Sequence, residues 1–162
     1  MERLAEVDKI QDADRAPVVA EALQATLVDL IAISLQSKHL HWNVYGRHFK
    51  TVHEHLDELT DVLREHADAI AERMAALGIS PDGRAMTVTH NTDLVGAADG
   101  FLSDRQVVET IVHNLELATR QARGRFEAVG EVDLVSQDFL VQCVGALEKQ
   151  LWMFGQMLKG WE

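Results

Sequence analysis

Only two prolines, Pro17 and Pro81, punctuate this chain. Proline is the residue a helix interior tolerates least, so its scarcity leaves room for very long helices. The stretch VVAEALQATLVDLIAISLQSKHLHW, directly after Pro17, uses that room. Its leucines, isoleucines and valines recur at three-and-four spacing and form a broad apolar face. Pro17 itself suits the first turn of such a helix. Gly46 interrupts, and a second helix is expected from His48 to Leu77, about 45 Å long. Gly78 and the turn Pro81-Asp82-Gly83 end it. Residues 84–102 are weaker in pattern, with one short helical piece expected near 92–99. Ser103-Asp104-Arg105-Gln106 reads as a capping box opening a third helix that runs to Gly130. Asp133 caps a fourth, which reaches Lys159. No alternating strand pattern competes. Four long helices, with a long connection only between the second and third, predict an all-α bundle with one crossover. The bundle takes residues 15–160, behind a polar arm, residues 1–14, expected to be mobile.

With 162 residues, 47% of them hydrophobic and 25% charged, the chain matches one globular domain. It has no run of 18 consecutive apolar residues, which argues against a membrane span. The opening MERLAEVDKIQDADRAP has no apolar core of a secretory signal. A single cysteine, Cys143, cannot form an internal disulfide; it suits a reducing cytoplasm and a small core position. Fifteen Lys and Arg against 26 Asp and Glu leave a net charge of −11. So acidic a chain is poorly suited to phosphate backbones, which need clustered cations. It is better suited to handling cations itself.

Eight histidines occur, and six of them, His39, His41, His48, His53, His55 and His66, fall in one short stretch. On an ideal helix counted from His53, Asp57 lies about 40° round, Asp68 about 60° and Glu72 about 100°. These four share one stripe, and the Gly46 turn folds His41 back toward it. Asp57 and Asp68 are about 16 Å apart along the axis, too far for one metal centre with ligand distances of about 2 Å. The stripe therefore holds two half-sites, His53/Asp57 and Asp68/Glu72. Both 53 with 72 and 57 with 68 share the midpoint 62.5. An antiparallel two-fold pairing of this helix lays His53 opposite Glu72 and Asp57 opposite Asp68. The result is two identical metal sites at a homodimer interface, each built from both chains.

Two imidazoles with several carboxylates suit iron(II), manganese or zinc, and leave positions open for a second ion, water or an oxidant. An isolated His-x-x-x-Asp is usually only a side-chain contact; the symmetric second pair and His41 lift this one above that. His53-Glu54 begins a zincin pattern, but residue 57 is Asp where a second His is required, which argues against a metalloprotease. No Glu is followed three residues later by His, so the usual di-iron motif inside a bundle is absent. His39, His48, His55 and His66 lie off the stripe and are expected to make ordinary contacts. Trp42 admits two readings, a redox-active aromatic beside the site or a core anchor at a helix end; packing favours the anchor.

The run His41-Trp42-Asn43-Val44-x-Gly46-x-x-Phe49-x-x-x-His53-x-x-x-Asp57, with Asp68-x-x-x-Glu72-Arg73 in register, resembles the signature of the Dps family. These are the mini-ferritins named for DNA protection in starved cells. Leu147-Glu148-Lys149-Gln150-x-Trp152 is similar to family members too. The resemblance implies a ferritin-like four-helix bundle assembled from two-fold dimers into a hollow dodecamer. It implies ferroxidase centres in which His41, His53 and Asp57 come from one chain and Asp68 and Glu72 from its neighbour. Asp57 and Glu72 would be the strong or bridging iron ligands, with His41 and His53 completing a weaker position. Iron(II) would be oxidised by hydrogen peroxide, or by oxygen, and stored as a ferric mineral, which limits oxidative damage. The family also places an acidic three-fold pore where Glu127, Glu131, Asp133 and Asp138 cluster.

DNA binding in this family depends largely on Lys/Arg-rich arms. Here the first 15 residues carry Arg3, Lys9 and Arg15 against Glu2, Glu6, Asp8, Asp12 and Asp14. Only Lys159-Gly160-Trp161-Glu162 follows the last helix. Twelve copies at −11 sum to −132, so no appreciable DNA binding is expected at physiological salt.

Overall fold

The computed structural model describes residues 16–161; the expected arm, 1–14, lies outside the described residues. Helix α1 (Ala16–Asn43) has Pro17 in its first turn and buries Val19, Leu23, Leu27, Leu30 and Ile33 along one face. By length and composition this helix could also cross a membrane, but 61% of the window that qualifies is buried inside the protein. Its apolar face is the wall of the core.

A two-residue strand, β1 (Val44–Tyr45), leads into α2 (Phe49–Ala76). Helix α2 ends on Gly78, where φ is +74°. Gly78 N–H donates to the Ala75 carbonyl and Ile79 N–H to that of Met74, at 3.0 and 2.9 Å. These bonds satisfy carbonyls that a helix end otherwise leaves open.

The crossover carries a short helix, α3 (Ala85–Asn91), which packs on α1. It lies earlier than the 92–99 expected from sequence. Asp82 organises its start, accepting from Arg84 and from Thr87 Oγ1. Residues 92–99 form irregular chain instead, and Asn114 clamps it at Val95. Its Oδ1 accepts the Val95 N–H at 3.0 Å and its Nδ2 donates to the Val95 carbonyl at 2.8 Å. A second short strand, β2 (Leu102–Ser103), pairs parallel with β1, Val44 against Leu102 and Tyr45 against Ser103. This small pairing has no signal in the sequence pattern.

Helices α4 (Asp104–Gly130) and α5 (Leu134–Lys159) complete the bundle. The capping box at Ser103 and Gln106 is formed, and the Asp133 side chain accepts from Val135 N–H. α1 packs chiefly on α2 and α4 on α5, with α1–α4 and α2–α5 contacts joining the two pairs. Leu56, Leu63 and Ile70 of α2 meet Ile111 and Leu115 of α4 and Leu140, Leu147 and Phe154 of α5 in one core. Inside it, Asp29 receives Arg125 Nη1 at 2.6 Å. Burial raises the Asp29 pKa above its ordinary value, with Arg125 opposing. Cys143 is a free, buried thiol whose pKa burial pushes up to about 12.

Candidate metal centre

His41 is in the last turn of α1 and His53 in the second turn of α2, so the short link between the helices brings them face to face. Their rings stack with centroids 3.6 Å apart and planes 20° from parallel. Each Nδ1 lies against the other residue's backbone carbonyl, His41 to His53 at 2.8 Å and His53 to His41 at 2.9 Å. A carbonyl only accepts, so both Nδ1 atoms carry the proton. Both Nε2 lone pairs are left over, and neither has a partner among the described residues. Imidazole binds metals through such a lone pair, and a carbonyl behind the ring fixes its tautomer and orientation.

Asp57, one turn beyond His53, lies beside this pair. Its Oδ1 lies 3.4 Å from His41 Nδ1 and accepts from Lys38 Nζ. The hydrogen bond from Lys38 holds the Asp57 carboxyl below the ordinary carboxylate range, with the two histidines adding to it and burial opposing. Phe49 leans on His53 at 4.9 Å. Lys38 is a residue the sequence reading missed. Its place one turn before His41, on the same face of α1, was the available signal.

Asp68 and Glu72 lie further along α2, exposed, and make no hydrogen bond or ion pair with any described residue. They do not meet the histidines within the chain. Among the described residues no group of three or more His, Cys, Asp or Glu side chains converges to hold a metal ion. One chain thus stacks His41 on His53 with Asp57 beside them, and keeps Asp68 and Glu72 apart.

The remaining expectations divide. His55 is a core residue, bonded to Gln150 Oε1 at 2.9 Å and stacked on Phe154. His48 is exposed, with its ring edge-on to Trp161. His39 and His66 are half-buried. Trp42 does not anchor the core: it is 67% exposed, and Tyr45 and Phe49 are exposed beside it. Among the described residues, these three aromatic side chains are left largely uncovered. Glu127, Glu131 and Asp138 are exposed at the α4–α5 turn. Asp133 is engaged otherwise, accepting Arg73 Nη2 at 2.7 Å and Ser136 Oγ at 2.6 Å as it caps α5. Burial alone would raise its pKa, but Ser136 and Arg73 hold it below the ordinary value.

The ferritin-like domain family matches residues 20–162. The DNA protection during starvation protein of Mycolicibacterium smegmatis is 35% identical over 142 residues, covering 85% of this chain and 75% of that one. DNA protection during starvation protein 2 of Deinococcus radiodurans is 34% identical over 139 residues, or 86% of this chain. The match spans only 58% of that relative's length. The structure of Dps from Microbacterium arborescens in the high iron form superposes with a TM-score of 0.86 at 30% identity. That superposition covers 91% of this chain and 97% of the other. The chain therefore belongs to the Dps family of ferritin-like proteins.

Proposed function

We propose that this chain oxidises iron(II) at centres shared between two copies and stores the ferric product inside a dodecameric shell. The carrying observation is the locked imidazole pair. His41 and His53, each tied through Nδ1 to the other's backbone carbonyl, leave two Nε2 lone pairs free close to Asp57. The similar Microbacterium arborescens Dps, solved in a high iron form, supports the choice of iron among the metals this ligand set suits.

A single chain offers too few ligands to close a site. Asp68 and Glu72, exposed and unpaired on the same helix, match what a two-fold partner would contribute. The exposed aromatics Trp42, Tyr45 and Phe49 give that partner an apolar surface to cover. Asp57 and Glu72 hold iron(II) as the anionic ligands, and His41 and His53 complete the weaker position. Hydrogen peroxide is the oxidant we favour. Each iron(II) gives up one electron, a pair of them cleaves one O–O bond, and added water yields ferric oxyhydroxide and protons. Protection follows because peroxide is consumed by paired electrons, without release of hydroxyl radical.

The single thiol and the acidic charge extend the reading: a cytoplasmic shell with no appreciable affinity for DNA at physiological salt. The test is anaerobic loading of the apo-protein with iron(II), followed by peroxide, with ferric absorbance and particle mass recorded. Fast oxidation with many irons per chain retained in a twelve-copy particle is expected. Oxidation no faster than buffer, with iron precipitating outside, would overturn the proposal. Tight, salt-sensitive gel shifts by the intact shell would overturn the DNA part alone.

A further inference from the structure

The link between the two histidines, residues 44–48, is gripped from outside by the start of α4. Val44 and Tyr45 pair with Leu102 and Ser103, and the next residue along, Asp104, opens α4. Asp104 is only 7% exposed, and no cation among the described residues pairs with it. A buried carboxylate in that position is costly unless hydrogen bonds hold it. Asp104 Oδ2 accepts the backbone N–H of His48 at 2.7 Å, and Oδ1 accepts that of Arg105 at 2.9 Å. The N-terminal end of α4 favours its charge as well.

Gly46 is fitted to the same group. Its φ is +137°, and a Cβ added there would lie 2.5 Å from Asp104 Cγ and 2.6 and 2.7 Å from the two carboxylate oxygens. The turn and the carboxylate are thus in direct contact, with no space for a side chain between them. An apolar residue could fill this corner without any desolvation cost. A carboxylate adds direction, because it holds the His48 N–H along one line. That line matters at the other end of the link. The crossed bonds between His41 and His53 require the last turn of α1 and the second turn of α2 to keep their separation and rotation. A shift of the turn breaks both bonds and swings both Nε2 atoms.

We propose that Asp104 is a positioning residue for the imidazole pair. It does not touch the metal; by fixing Gly46 and His48 against α4, it sets where Nε2 of His41 and His53 point. This role rests on the reading of those histidines as ligands. Full-length shells of the wild type, Asp104→Ala, Asp104→Asn, His53→Ala and a distant core control, Leu140→Ala, are titrated anaerobically with cobalt(II). Melting temperature and particle mass are recorded for each. Asp104→Ala is expected to weaken cobalt(II) binding about tenfold or more, the size usual for groups that orient ligands from behind. Asp104→Asn keeps an oxygen for the His48 N–H and is expected to lose measurably less than Asp104→Ala. Leu140→Ala should melt lower yet bind like the wild type, which separates positioning from stability.

Wild-type affinity in both assembled Asp104 variants would overturn the role. Should Asp104→Ala fail to assemble, Asp104→Asn decides: weaker binding supports the role, and unchanged binding overturns it. If His53→Ala loses cobalt(II) while the Asp104 variants keep it, positioning falls and the metal centre stands. If His53→Ala binds like the wild type, the metal centre falls and takes the positioning role with it.

Discussion

Lys38 stands one turn before His41, and its ammonium rests on the carboxylate of Asp57. The Asp57 side chain is 47% exposed, so the pair is wet and contributes little to folding. Its effect falls on what else Asp57 can hold, since a divalent ion must share or displace that ammonium. Lys38→Met is therefore expected to tighten cobalt(II) binding by about tenfold at low salt. A unit charge a few ångströms from a divalent ion costs on the order of 1–2 kcal/mol in wet surroundings, and salt screens it. Calorimetric titration at two ionic strengths checks this. Weaker binding in the variant would make Lys38 a support for Asp57 instead of its competitor.

Asp57→Ala and Glu72→Ala are each expected to slow iron(II) oxidation by about tenfold or more, as loss of a charge-bearing ligand does. Neither side chain is in the core, so the far-UV circular dichroism should not change. His48→Ala should oxidise iron like the wild type, because Asp104 holds its backbone and its ring only edges Trp161. Equal losses at all three positions would sink the ligand assignment.

Arg73 and Asp133 join the end of α2 to the start of α5. Asp133→Asn should cost about 1–2 kcal/mol at pH 7, through the weakened cap and the lost charge-assisted bond. The folded state holds this carboxyl below its ordinary value. Its contribution is therefore complete above the unfolded pKa of about 3.9 and disappears as pH falls through the lower folded one. Melting curves of the two proteins should converge below about pH 4. A gap independent of pH would show that the charge of Asp133 plays no part.

Arg125→Ala leaves Asp29, 4% exposed, buried without its partner. A loss of about 3–5 kcal/mol is expected in urea denaturation at pH 7. Burial already raises the Asp29 pKa, and without Arg125 the group takes up a proton still more readily on folding. The deficit should therefore shrink as pH falls toward 5. Asp29→Leu with Arg125→Met should recover most of it. A double variant as unstable as Arg125→Ala would contradict this account.

The long helices were legible because their apolar residues keep a three-and-four rhythm and their ends carry named signals: Gly78, the Ser103 box, Asp133. Helix α3 was not. Its Thr87, Val88 and Thr89 are poor helix formers, and it owes its start to Asp82. The stretch placed there instead, 92–99, is irregular and is clamped at Val95 by Asn114, a residue 19 positions along the chain. At the site, spacing was enough to predict that His41, His53 and Asp57 share one neighbourhood. The tautomers were not legible, since they depend on backbone carbonyls across a turn. Trp42 was misjudged for a related reason: a rule about buried tryptophans has no grip where one chain leaves its own edge uncovered.

Cys143 bears on how long the proposed shell would last in use. Peroxide attacks sulfur mainly as the thiolate, and a thiol with its pKa near 12, sealed in the bundle, supplies almost none. With the peroxide chemistry proposed above, each copy would meet its oxidant with its one thiol shut away, which disfavours disulfides between copies. The same chain with this cysteine at its surface would lose that protection with each round of such chemistry.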